Sequence, residues 1–446
     1  MFNSFFFKRI DNSPLLIFRV FLGILISLEC YGAILTGWVR RTLIEPTFTF
    51  SFIGFEWLQP LPGPGMYIYF FIMGTLGIFI ALGYKYRFSI LSFTILWTAV
   101  YLMQKTSYNN HYYLLVLISL IMCFLPANQA YSLDARAKPQ IRSESMYSYV
   151  KWIIVLQLFI VYTYAALAKL YADWLDFSFV GILMQNKAHF WLIGDLLQES
   201  WVHKFISVMG ILFDLLIVPA LLWKPSRKIA FAFAIFFHLF NSVVFQIGIF
   251  PYLALAFTVF FFEPETIRRI FFKKKPLPEP SEVIIPKYRN LFFLGFAIYF
   301  TIQLILPLRH HFIKDDVLWT EEGHRLSWRM MLRSRSGIIS FKVINNDNGN
   351  VINVNLRDYL TKKQRGRISG YPDLIWQFAQ HLKKIYSEDG ADISVYVNSR
   401  VRINGSRLKP FIDPDVDLAT ERWDYFWHNN WILPSKESKA ELPASK

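Results

Sequence analysis

Apolar stretches long enough to approach bilayer thickness, roughly 17–25 residues each, recur along this chain until about residue 308 and then stop. Nine can be marked, beginning near Leu15, Met66, Phe88, Tyr112, Tyr149, Phe205, Lys228, Pro251 and Leu291, with the third, fourth and eighth the shortest. Hydrocarbon offers the backbone no hydrogen-bond partner, so such stretches form helices or a closed barrel. Their apolarity is continuous and lacks the period of two that barrel strands show, which leaves helices. The expected fold is an α-helical multi-pass membrane bundle over residues 1–308. The first run has no short apolar core with a small-residue cleavage site after it, and it is expected to be a retained span.

Basic residues in the short loops give the orientation. With nine spans, Lys8 and Arg9, Lys85 and Arg87, Arg136, Lys138 and Arg142, Lys224 to Lys228, and "RRIFFKKK" at 268–275 all fall on one face. The N-terminus is then cytoplasmic and the tail extracytoplasmic. The formal charge of +15 is accounted for largely by these loops, so anionic lipid is the expected partner and nucleic acid is not. Only two cysteines occur, Cys30 and Cys123, both inside apolar runs, so no disulfide framework or zinc site is indicated.

After "QLILPLRHHF" charges become frequent and apolar residues alternate with polar ones. "GIISFKVIN", "NVINVNL" and "ADISVYVNSRVRINGS" read as strands, with "NDNG" as a hairpin turn between the first two. "YPDLIWQFAQHLKKIYSE" keeps helical spacing. Residues 309–446 are therefore expected to form a β-rich α+β domain outside the membrane. No internal repeat is visible, and the one linker-like segment is "KKKPLPEPSE".

Ionisable residues inside spans are costly and normally face a cavity or a partner. Arg19 and Glu29 read as a structural ion pair near helix ends, and Asp214 is given the same structural reading. Lys169, in "VYTYAALAKLYADWLDF", has two readings. It could snorkel to the interface, or it could serve a site together with the polar ends of neighbouring spans: Asn109, Asn110 and His111; His238 and Asn241; His310 and His311. Several imidazoles and amides near one amine suggest a polar network around a ligand. Burial disfavours the charged form of a lysine, so a neutral amine would be available as a base toward a lipophilic weak acid such as a quinol.

The strings "TSYNNHYYLLVL", "AKLYADW", "FHLFNSVVFQIGIFPYLALA", "LPLRHHF", "LSWRMMLRSRS", "ISVYVNSRVRINGS", "IDPDVDLA" and "WILP", in that order, resemble the vitamin K-dependent gamma-glutamyl carboxylases and their bacterial relatives. The resemblance implies that reduced vitamin K or a menaquinol-like quinol is deprotonated by a lysine and oxidised by O2 to its epoxide. The same oxidation drives removal of a γ-proton from a protein glutamate, to which CO2 adds. It implies Lys169 as the base and His111 and His238 as hydrogen-bonding partners of the quinol oxygens. Asn110, Asn241, Phe250, His310, Met330 and Met331 are then quinol-binding positions, and no metal is called for. Animal members usually carry a second lysine before the base and an acidic residue two after it; here these are Ala168 and Tyr171. They also extend farther at the C-terminus, so regions that help to recognise protein substrates are expected to be missing. A quinol-oxidising membrane protein without carboxylation, a transporter and a membrane-anchored scaffold are the alternatives. Paired broken helices of a midplane transport site are not seen, and a scaffold leaves the Lys169 cluster without a role.

The orientation is open to a direct check. A cysteine introduced in "NDNG" should react with a membrane-impermeant reagent in intact cells, whereas labelling that appears only after permeabilisation would reverse the topology.

Overall fold

The computed structural model describes residues 2–277 and 282–435. All nine apolar runs are helical. Seven are long and apolar enough to cross a membrane: α1 (Ser13–Leu35), α2 (Gly65–Leu82), α3 (Tyr86–Met103), α5 (Tyr149–Ala168), α6 (Ser200–Leu222), α7 (Arg227–Phe245) and α9 (Arg289–Ile305, which runs on in tighter turns to Phe312). Two are shorter, α4 (Asn110–Phe124) and α8 (Phe250–Phe257). The chain is a multi-pass helical membrane protein with a sheet-containing C-terminal region. "KKKPLPEPSE" lies partly outside the described residues.

Apolar side chains such as Ile68, Phe71, Ile95 and Ile229 remain exposed on the outer helix faces, as expected where hydrocarbon is the solvent. With no hydrophobic drive between spans, close backbone approach and interhelical hydrogen bonds hold them together. At the α1–α2 contact, a Cβ added to Gly23 would meet the Ala81 nitrogen at 2.4 Å. Beside it Ser27 Oγ donates to the Gly74 carbonyl at 2.9 Å.

Arg19 and Glu29 do not pair, and this corrects the expectation. They lie ten residues apart on one helix, roughly 15 Å along its axis. Arg19 instead donates to the carbonyls of Ala127 (2.8 Å), Ala130 (3.4 Å) and Tyr131 (2.6 Å), tying down the loop after α4. Glu29 accepts from the Tyr112 hydroxyl at 2.5 Å. In each case the partner comes from another segment, because a side chain reaches across a bundle more readily than nearly three turns along its own helix.

The C-terminal region holds a four-stranded antiparallel sheet in the order β2-β1-β3-β4, from β1 (Arg335–Asn345), β2 (Val351–Asn353), β3 (Ile393–Ile403) and β4 (Lys409–Ile412). β1 and β3 pair along their full lengths, with Phe341 opposite Val397 and Val343 opposite Val395. These residues are buried against Leu374, Ile375, Phe378 and Leu382 of α11 (Pro372–Tyr386), with a short α10 (Lys362–Ile368) before it. β4 and α10 fall in stretches too short and too polar to announce themselves. Phe50, from the loop between α1 and α2, is buried in this second core, so a loop of the bundle helps to build the sheet region.

A buried ion network joins the two parts. Asp373, at the start of α11, contacts both Lys105, before α4, at 2.6 Å and Arg325 at 2.5 Å. Burial raises the Asp373 carboxyl, but the two cations outweigh it and hold it at about 2, against an ordinary 3.8. Lys105 shares that one carboxylate with Arg325, and burial draws its ammonium down to about 8. A carboxyl whose folded value is depressed stabilises the folded state above its unfolded value, and that contribution is lost as pH falls. The link should lose about 2 kcal/mol as pH falls from 3.8 toward about 2. Pepsin cleavage within residues 309–334, normalised to a reference substrate, should steepen over that window, and Asp373→Asn should remove the steepening.

Candidate functional site

α5 ends at Ala168, and Lys169 caps it. Its side chain turns back along the helix rather than out to the interface. The amine donates to the Ala165 carbonyl at 3.2 Å and pairs with Asp214 of α6, and it lies 5.5 Å from the Trp174 ring. At 7% exposure each, neither partner is solvated, and the snorkelling reading of Lys169 fails. Asp214 does sit in an ion pair, as its structural reading has it, and its partner is the candidate base Lys169. Lys169 and Asp214 are forty-five residues apart in sequence, and no spacing rule links them.

Two turns before Lys169 on the same face of α5, Tyr162 places its hydroxyl 3.1 Å from His238 Nε2. Helical periodicity puts positions seven apart nearly in line. Phe213, the neighbour of Asp214, lies edge-on to His238 at 5.6 Å and to Tyr162 at 6.1 Å. On the other side of His238 stands Phe250, whose ring is 6.0 Å away and stacks on His111 at 4.0 Å. His111, Phe250, His238 and Tyr162 thus form one continuous row from α4, α8, α7 and α5. His238 Nδ1 is buried with no hydrogen-bond partner among the described residues. A buried, unpaired imidazole nitrogen is a costly feature for a folded core and a useful one for a site that receives a hydroxyl.

His111 also lines a cavity of about 340 Å³ with Asn110, Met330 and Met331. Asn110 accepts from the Tyr108 hydroxyl at 2.8 Å and donates to the Arg329 carbonyl at 3.0 Å, so it holds the wall in place. The segment carrying the two methionines is contorted. Leu326, Trp328 and Met331 all have left-handed φ, at 60°, 58° and 51°, a conformation that costs non-glycine residues of order 1–3 kcal/mol each. The polar rim of this cavity is strongly basic, with Arg325, Arg329, Arg333 and Lys105 against Glu321. Glu321 pairs with Arg333 and lies 3.4 Å from Arg335. Burial and the surrounding guanidinium groups hold His324 well below the ordinary imidazole value, so it is a neutral member of this rim.

His310 is not in that cavity. It lines a neighbouring one of about 400 Å³ with Ala168, Tyr171 and Arg329. Its Nδ1 faces the Pro307 carbonyl at 2.8 Å, and its Nε2 accepts from Arg329 at 3.3 Å. Arg329 therefore lines both cavities and stands between them. Asn241, one turn after His238 on α7, makes no side-chain hydrogen bond among the described residues, and the structure does not bring it into the row. Tyr162, Asp214 and Arg329 were not singled out from sequence as members of the site. Tyr162 could have been found by its spacing from Lys169; the other two needed the packed structure. Among the described residues no group of three or more His, Cys, Asp or Glu side chains is placed to hold a metal ion.

The buried pair makes a stability prediction. Removing one partner leaves the other charge without compensation, at a cost of about 3–5 kcal/mol. Asp214→Ala should therefore lower the melting temperature of the detergent-solubilised protein markedly. Lys169→Met with Asp214→Leu should recover most of the loss, and additive losses in the double variant would show that the two side chains are not coupled.

Comparison with known families places two matches end to end. Residues 7–265 match the model described as the HTTM domain, and residues 288–438 match that of the vitamin K-dependent gamma-carboxylase, lumenal domain. No solved structure matches the chain.

Proposed function

The chain belongs to the vitamin K-dependent gamma-glutamyl carboxylase family, and from that premise we propose that it is a quinol oxygenase forming the quinone epoxide, coupled to gamma-carboxylation of a protein glutamate. The observation that carries this reading is the buried row of His111, Phe250, His238 and Tyr162, running beside the Lys169–Asp214 pair. Reduced vitamin K or a menaquinol-like naphthoquinol, when bound, supplies the oxidisable phenol whose reaction with O2 is coupled to CO2 addition.

The residues present suit such a group. Phe250, Met330 and Met331 offer apolar, polarisable surface of the kind that accommodates an aromatic ring. The unpartnered His238 Nδ1 can meet a phenolic oxygen, and His111 makes no hydrogen bond among the described residues and is likewise available. Lys169 is the base in this reading. The Asp214 carboxylate is in direct contact with the amine. The two act as a unit: with the amine neutral beside the Asp214 carboxylate, it takes the quinol proton, which leaves a phenolate and restores the ammonium–carboxylate pair seen in the structure. Hydrogen bonds directed at a developing phenolate are worth most where water is excluded, as in this row.

The basic rim of Arg325, Arg329, Arg333 and Lys105 supports an acidic partner, a glutamate-containing peptide, approaching from the C-terminal side. We place that region, from residue 309 onward, outside the cytoplasm and the N-terminus within it. The match to a lumenal-domain model and the basic loops support this orientation.

A second reading, quinol oxidation without carboxylation, is favoured by Tyr171. Where animal members carry an acidic residue, this hydroxyl is tied to the Leu332 carbonyl.

Purified protein given a reduced naphthoquinone should form epoxide. Lys169→Ala should abolish it even per folded molecule, after allowance for the stability lost with the pair, and Lys169→Arg should fail to restore it because guanidinium does not release its proton in the usable range. His111→Ala and His238→Ala should each slow it, by about 10²–10³-fold if they stabilise developing charge. Epoxide at the parental rate from Lys169→Arg would refute the base assignment. Mass spectrometry of a glutamate peptide separates the two readings, since only the first gives a CO2 mass increase.

A further inference from the structure

A groove of about 980 Å³ lies away from the candidate quinol site, at the opposite end of the bundle. Its walls are Ile24 and Leu28 of α1 and Ile78 and Leu82 of α2, all four exposed apolar side chains. The Ser27–Gly74 hydrogen bond and the close approach at Gly23 hold these two helices together along its length.

One end of the groove is polar and carries Arg19, Arg136 and Arg142, with Glu144 as the carboxylate. Behind it, buried Lys275 lies 3.4 Å from Glu144 and 2.8 Å from Asp11, and Arg268 lies 3.4 Å from Asp11, so these two carboxylates are matched by two cations. Arg19 is 1% exposed, bonded only to carbonyls, and its Nε has no hydrogen-bond partner among the described residues. Arg142 holds its Nε on the Ala135 carbonyl at 2.9 Å and is otherwise exposed, and Arg136 is exposed. Positive charge therefore exceeds negative charge at the head of an apolar trough that runs along two membrane spans.

We propose that this groove binds one anionic phospholipid, with its phosphate on Arg136 and Arg142 over the Arg19 floor and an acyl chain along α1 and α2. Two features favour such a lipid over a zwitterionic one. The surplus cations match a net negative headgroup, and the groove opens on the face that the basic loops make cytoplasmic, where anionic lipids give the surface its negative potential. The apolar walls distinguish a lipid from free phosphate, which has nothing to lay along them.

The full chain, purified in detergent, would be examined by native mass spectrometry with phosphatidylglycerol and phosphatidylcholine of matched chains. Phosphatidylglycerol should be retained at least about fivefold better, since each basic residue near an anionic headgroup contributes roughly that factor. Arg136→Gln with Arg142→Gln should remove the preference, and Arg136→Gln alone, which breaks no hydrogen bond among the described residues, should reduce it. Equal retention of the two lipids, an unchanged preference in the double variant, or displacement of the lipid by excess glycerol phosphate would each overturn the proposal. So would a dimer that excludes lipid from the groove, because a second copy of the chain would then be its occupant.

Discussion

A bilayer interior supplies no hydrogen-bond partner, and that constraint shapes nearly every polar contact in the bundle. A charged or polar side chain placed there must find its complement on another segment of the same chain. Arg19 finds three loop carbonyls, Glu29 finds the Tyr112 hydroxyl, Ser27 finds a carbonyl of the adjoining span, and Lys169 finds Asp214. Each contact fixes one element relative to another, so the polar residues that are expensive to bury are also the ones that set the packing. A few buried atoms lack a complement among the described residues, His238 Nδ1 and Arg19 Nε among them.

The Lys169–Asp214 pair illustrates how such a contact serves structure and chemistry together. In hydrocarbon an isolated ammonium would be driven to lose its proton, and an isolated carboxylate to gain one. Held together, they form a compensated unit in which a proton can shift over a short distance without creating net charge. This makes the pair a stable part of the fold, and in the proposed function the amine is also the base. The aromatic and imidazole row beside it comes from four different helices, so its geometry depends on the packing of the whole bundle.

The segment from Arg325 to Arg335 connects this interior to the sheet region. It donates the methionines to the cavity beside His111, the guanidinium groups to the basic rim, and Arg335 to the first residue of β1. Three left-handed residues in six positions show that the backbone is held there by its surroundings rather than by its own preferences. The Lys105–Asp373–Arg325 network and Phe50 in the second core supply that restraint. The bundle and the sheet region consequently meet at the candidate site.

The amino-acid sequence alone determined the elements whose cause is local. Nine apolar runs became helices because continuous apolarity over such lengths has few other solutions in lipid, and the alternation in "GIISFKVIN" and "ISVYVNSRV" became paired strands for the same kind of reason. The ordered motifs also pointed to the family and to His111, His238, Phe250 and Lys169 as neighbours in function. What only the tertiary structure decided was who faces whom. Arg19 and Glu29, close in sequence, face opposite ends of a helix, while Lys169 and Asp214, distant in sequence, meet in its interior. His310 and Met330, both expected at one site, line separate cavities divided by Arg329. Periodicity specifies which face of a helix is buried, but the partner of a buried charge depends on the rotation and depth of a neighbouring helix, which are set by the packing of all the spans at once.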